Sequence, residues 1–169
     1  MHARTVAEAH LFMDICGAAP GPRGHQLRAD GDTLVSVYHC QTDRGIRAFE
    51  FVVERAEVEG GGFGGPEPSK LLGPAQFLLE SDRLAGASPG SPEGLSDIQR
   101  RTAATQLERA ARCIDEVLKF FADDQDRLGL SEMRTVTGGH LVRREPGRFD
   151  RTRLCALRTT YRRLAAAMR

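Results

Sequence analysis

The chain has 169 residues, 40% apolar and 28% charged, with a formal net charge of +1. A chain of this length buries roughly 70% of the surface that its unfolded form exposes, so neither a metal nor a disulfide is needed for stability. The composition is that of a soluble globular protein and predicts a single α+β domain over residues 1–169. No apolar run approaches the ~20 residues that span a bilayer, which excludes a membrane helix.

Thr5-Val6-Ala7-Glu8 has the form of a capping box, and Ala9, Phe12 and Met13 supply an apolar face, so a helix is predicted over about 6–15. Gly17, Pro20, Gly21, Pro22 and Gly24 end it in a loop. Three extended runs follow, 25–29, 33–40 and 46–54. The first two are joined by Asp30-Gly31-Asp32, a hairpin turn signal, and the last two by the polar stretch 41–45. In the third run Phe49, Phe51 and Val53 alternate with Ala48 and Glu50. The pattern predicts a three-stranded antiparallel meander with one face on a core.

Residues 59–68 hold five glycines and two prolines and read as a loop. Gly73-Pro74 opens a helix whose apolar side is Phe77, Leu78 and Leu84, and a Ser/Pro/Gly linker follows over 87–94. Ser96-Asp97-Ile98-Gln99 is a second capping box and opens the longest helix, periodic to about Phe121. Asp123, Asp124 and Asp126 mark a solvated turn, and Ser131 is predicted to cap the next helix, weakened by Gly138-Gly139. Pro146-Gly147 breaks the chain, and Asp150 caps a last helix striped by Leu154, Leu157, Tyr161, Leu164 and Met168. By segment, 5–59 is helix plus meander, 60–94 loop, short helix and linker, and 95–169 helical. The architecture is therefore α+β, a small three-stranded antiparallel sheet with about five helices.

No signal-peptide pattern opens the chain, which gives a cytoplasmic expectation and reduced thiols at Cys16, Cys40, Cys113 and Cys155. Cys113 and Cys155 fall in helical patterns and read as small buried hydrophobes. Cys16 and Cys40 flank the hairpin region, each single where a zinc knuckle needs a pair. Asp14, His25, His39 and Asp43 are the nearby substitutes, and Cys16, Cys40, Asp14 and Asp43 form the candidate metal set, with zinc as the ion. Hard carboxylates weaken such a thiolate site. The alternative is a metal-free hairpin held by packing, with no cofactor.

Four runs carry a resemblance: Ala-Glu-Ala-His-Leu-Phe-Met-Asp at 7–14, Phe-Gly-Gly-Pro-Glu-Pro-Ser at 63–69, Glu-Val-Leu-Lys-Phe at 116–120 and Glu-Pro-Gly-Arg-Phe at 145–149. With these the chain resembles an uncharacterised family of small bacterial proteins from GC-rich genomes. The resemblance implies a zinc-ribbon-like amino-terminal part with two knuckles. Cys16-Gly17 matches the second half of the first knuckle and Cys40 the start of the second, while Asp14 and Asp43 replace the other two cysteines. The family implies no activity.

Gly60, Gly62 and Gly65 spell G-x-G-x-x-G, but Pro66 and Pro68 follow at once and spoil the helix start that a dinucleotide site needs. No H-E-x-x-H or P-loop is present, and the five histidines are scattered. An enzyme of unrecognised type stays open, because spatial constellations do not show in spacing. From Arg143 onward nine arginines meet Glu145 and Asp150, with Arg151, Arg158 and Arg162 on one helical face. No nucleic-acid motif accompanies them, which argues against nucleic acid and for a solvated face paired with carboxylates such as Asp123 and Asp124. By exclusion, the reading is a non-enzymatic protein-binding module, an adaptor or an immunity-type inhibitor. Its contact candidates are Phe63, Pro66 and Pro68 in the Gly/Pro loop and Asp123, Asp124 and Asp126 in the acidic turn.

Overall fold

The computed structural model describes residues 1–21, 23–31, 33–54 and 62–169. The protein is α+β, with one three-stranded antiparallel sheet and five α-helices among these residues. The chain divides into two compact units, Met1–Leu72 and Gly73–Arg169, and the boundary falls inside the segment read as loop, short helix and linker.

In the first unit, helix α1 spans Val6–Ile15 and strands β1, β2 and β3 span His25–Asp30, Thr33–Thr42 and Gly45–Glu54. Thr5 caps α1 as expected, its hydroxyl accepting from the Glu8 N–H at 3.2 Å. The return bond differs from a capping box. Glu8 accepts from the Arg4 N–H at 2.6 Å, not from Thr5, because the Arg4 guanidinium also draws the carboxylate one residue upstream. The sheet order is β1-β2-β3. Gly31 (φ 59°) and Gly45 (φ 100°) take the left-handed backbone that the two hairpins require. Asp32 of the first turn lies outside the described residues.

The strand alternation does what the sequence implies. Tyr38, Cys40, Phe49 and Phe51 point to one face and pack with Ala9 and Met13 of α1, and Phe12 and Leu71 close over the same cluster. Ile46, on the other face of β3, is 78% exposed. The loop after the sheet is described from residue 62. Gly64 (φ 120°) sits so close to Arg4 that an added Cβ would lie 2.7 Å from the Arg4 Cβ, and an Arg4 guanidinium nitrogen donates to the Glu67 carbonyl. The Gly/Pro loop is thus tied to the start of α1.

The second unit holds α2 (Pro74–Gly86), α3 (Asp97–Leu118), α4 (Val136–Arg144), a 3-10 turn (Pro146–Phe149) and α5 (Arg151–Ala167). Pro74 occupies the first turn of α2, and Gln76 closes that turn by accepting from the Gly73 N–H at 2.7 Å. The capping box of α3 is fully formed between Ser96 and Gln99. α3 packs against both α2 and α5. Its small residues allow the approach: Ala103, Ala104 and Leu107 meet Ala165 and Met168 of α5, and the buried Ser81 hydroxyl of α2 donates to the Ala110 carbonyl at 2.9 Å.

The start of α4 differs from the sequence reading. Thr135 is the cap, accepting from the Gly138 N–H at 3.1 Å, whereas Ser131 spends its hydroxyl on Glu132, whose carboxylate also accepts the Gly129 N–H. That pairing makes a turn at 129–132 and delays the helix. The two glycines of α4 are not equivalent. A Cβ on Gly138 would lie 2.9 Å from the Ala75 Cβ of α2, an atom fixed to its backbone, while one on Gly139 would meet only the Leu130 Cδ2 at 3.8 Å. Gly139→Ala is therefore expected to stabilise the protein by up to about 1 kcal/mol through helix propensity. Gly138→Ala is expected to destabilise it by about 1–3 kcal/mol through overpacking against α2. Thermal melts of the two variants, followed by far-UV circular dichroism, should move in opposite directions.

Candidate functional site

In the first unit two of the four candidate metal donors, Cys40 and Asp14, take other partners. The Cys40 thiol is buried and sits 3.7 Å from the Met13 sulfur. The Asp14 carboxylate is held by the Arg23 guanidinium, whose side chain is buried under the loop that follows α1. Cys16 is half-buried against the apolar cluster, and Asp43 stands at the β2–β3 turn beside Gly17. Among the described residues no three His, Cys, Asp or Glu side chains come together in a way that could hold a metal ion. The sheet face toward α1 is filled by aromatic packing.

Tyr38 lies at the centre of that packing. His10 meets its ring edge-on at 5.4 Å, and His25 stacks on it at 5.1 Å. The phenol oxygen is buried without a hydrogen-bond partner of good geometry. Burial pushes the Tyr38 pKa above its ordinary value, and the nearby Ser36 hydroxyl and Arg23 charge offset part of that rise. The Arg23 Nε is also buried without a partner. His39, next to Cys40, is exposed while Cys40 is buried, as alternation along a strand demands.

The two edges of the sheet are treated differently. Along β3, the Val52 N–H donates to the Met1 carbonyl at 2.8 Å and the Ala3 N–H donates to the Val52 carbonyl at 3.1 Å, so His2 pairs with Val52 as a short parallel bridge. Along β1, all six residues are exposed, including Leu27 at 60%.

In the second unit a shallow apolar pocket of about 240 Å³ lies between α2 and α4. Leu79, Leu141 and Thr137 form its floor, and His140 and Arg144 stand at its rim. Leu79 is 40% exposed, and Val136, one turn before His140 on the same helical face, is 78% exposed. The apolar floor exists because Gly138 lets α4 settle onto Ala75 of α2.

The sequence-chosen contact residues divide. Phe63 is buried at 3%, so its ring is not offered to a partner, while Pro66 is exposed and Pro68 half-buried. Gly60 of the G-x-G-x-x-G run lies outside the described residues, and residues 62–68 form no helix. Asp123, Asp124 and Asp126 are exposed. Their turn is anchored to α5 through its backbone, since the Arg151 N–H donates to the Asp126 carbonyl at 2.8 Å and the Arg151 side chain donates to the Ala122 carbonyl. Two arginines of α5 and one beyond its end pair with other acids than expected. Arg158 and Arg162 share Asp115 at 3.0 and 2.6 Å, and Arg169 takes Glu108 at 2.6 Å. Asp150 precedes α5 but makes no side-chain cap, because Arg127 holds its carboxylate.

Cys113 is fully buried, and its thiol pKa is pushed far above the ordinary value, first by desolvation and then by the Glu80 carboxylate. Such a thiol is neither a nucleophile nor a ready metal ligand. Glu80 and Glu116, both buried, are paired with Arg83 and Lys119 at 2.7 and 2.6 Å. These acids have structural partners. No helix among the described residues is long and apolar enough to cross a membrane. Compared with known proteins, the chain matches no family model, no curated protein and no solved structure.

Proposed function

We propose that this protein is a non-enzymatic, cytoplasmic protein-binding module, an adaptor or an immunity-type inhibitor, and that the pocket between α2 and α4 is its contact. The observation that carries the reading is the apolar floor of Leu79 and Leu141 under a rim of His140 and Arg144, with Val136 exposed beside it. Exposed Leu and Val side chains grouped around one concavity mark a docking site more than scattered ones do. The partner that fits is an amphipathic helix, its apolar face in the groove and acidic side chains flanking that face toward Arg143 and Arg144.

The test is affinity capture from the native host with the tagged full chain and with Leu79→Glu. Wild type is expected to recover a stoichiometric partner, and Leu79→Glu to recover at least about tenfold less, because a carboxylate would be placed on the floor and against an acidic helix. Far-UV circular dichroism of the variant should match wild type, since Leu79 is already 40% exposed. Equal recovery by both would remove the groove from the reading. Recovery of no stoichiometric partner by wild type would remove the module itself.

A further inference from the structure

Among the described residues no strand pairs with the outer edge of β1; that edge has the geometry of a self-pairing strand, and we infer that two copies of this chain join there as an antiparallel β1–β1 pair, giving one continuous sheet. The inference is independent of the α2–α4 groove. It starts from the parity of the sheet. Val52 of β3 uses its N–H and C=O on residues 1 and 3, so even-numbered residues of β3 point outward and odd-numbered ones bond to β2. Ser36, opposite Phe51, therefore bonds to β3, and Val35 and Val37 bond to β1 through Arg28 and Gln26. The alternate residues His25, Leu27 and Ala29 turn their N–H and C=O groups away from the sheet. They also lie on the face of Tyr38, which is why His25 stacks on that ring.

An exposed edge with outward donors and acceptors is a template for another strand. Proteins blunt such edges, and β3 is covered by residues 1–3. β1 carries no proline and no bulge, and every residue in it is exposed. The occupant follows from self-complementarity about a two-fold axis. With the axis at Leu27, all three outward residues donate and accept, Leu27 covers Leu27 of the second copy, Arg28 faces neutral Gln26, and Asp30 faces Gly24. An axis at Arg28 would oppose two guanidiniums, and one at Gln26 would leave Ala29 opposite Arg23, outside the strand. The Leu27 axis opposes no like charges and removes a large apolar side chain from water.

A six-residue edge buries much less than a standard interface of roughly 1,600 Å², so the dimer forms and dissociates with concentration. The test is sedimentation equilibrium of the full chain from about 10 μM to about 1 mM, a range suited to a small interface, with amide hydrogen exchange at both ends of it. The apparent mass is expected to rise toward twice that of the monomer, and the Leu27 and Ala29 amides to exchange more slowly at high concentration. Leu27→Glu, which places two carboxylates on the axis, and Ala29→Pro, which removes an outward donor, should each stay monomeric. A wild-type chain that stays monomeric throughout overturns the inference, as does a dimer undiminished in both variants. Protection of Leu27 that appears only when a foreign extended peptide is added would overturn it in favour of that occupant.

Discussion

Replacing Phe51 with alanine is expected to lower the unfolding free energy by about 4 kcal/mol, the range for a large aromatic removed from a packed core. Phe51 is 0% exposed. Its ring meets Phe12 at 6.0 Å and Tyr38 at 6.1 Å edge-on and stacks with Phe49 at 6.5 Å. Phe49 and Tyr38 are fixed by the β2–β3 register, where Tyr38 faces Phe49 and Ser36 faces Phe51. Neither can slide into the vacated space without breaking strand pairing, so the cavity term is added to the transfer term. Phe12 stands on α1 at the margin of the same cluster and is only half-buried. Phe12→Ala should cost about half as much, since less apolar surface returns to water. Urea denaturation followed by circular dichroism would show the difference as a shift of midpoint at constant slope. Equal losses for the two would mean that the aromatic cluster relaxes around Phe51.

Glu8→Ala should be nearly as damaging, at about 3–4 kcal/mol, because it removes one half of a largely buried ion pair and the acceptor of three Arg4 donors. The Glu8 side chain is 0% exposed and that of Arg4 is 16% exposed. The carboxylate accepts from the Arg4 N–H at 2.6 Å, from Nε at 3.1 Å and from a terminal guanidinium nitrogen at 2.9 Å. The same guanidinium reaches the Glu67 carbonyl, and Gly64 lies against the Arg4 stem. Losing Glu8 therefore loosens the start of α1 and the Gly/Pro loop together. Glu8→Gln keeps an acceptor for the Arg4 N–H and loses the charge, so about half the penalty is expected. If the two variants unfold at the same urea concentration, charge is not what holds this corner.

Much of the fold was legible because its signals are local. Thr5, Ser96 and Gly73-Pro74 each fixed a helix start through bonds within one turn. The alternation of Phe49 and Phe51 with Ala48 and Glu50 fixed which face of β3 is buried. What failed depended on partners far along the chain or on competition between two local choices. Ser131 and Thr135 are both good caps, and only the use of Ser131 by Glu132 decides between them. The burial of Phe63 contradicts the usual exposure of a Gly/Pro loop and follows from the clamp between Arg4 and Glu67, 63 residues apart. Arg158 and Arg162 find Asp115 at separations of 43 and 47 residues, beyond the reach of helical spacing. The α2–α4 pocket had one visible trace, Gly138, which reads as a weak point in a helix until Ala75 is seen against it. The open edge of β1 left none, since edge and central strands share the same alternation.

The division of the chain carries a practical corollary. There is no tryptophan, and the two tyrosines fall one in each unit, Tyr38 within Met1–Leu72 and Tyr161 within Gly73–Arg169. Each unit therefore owns a single intrinsic fluorophore. A Tyr→Phe change at either position leaves an emission signal belonging to the other, so the melting of sheet and helices can be watched separately without an added dye.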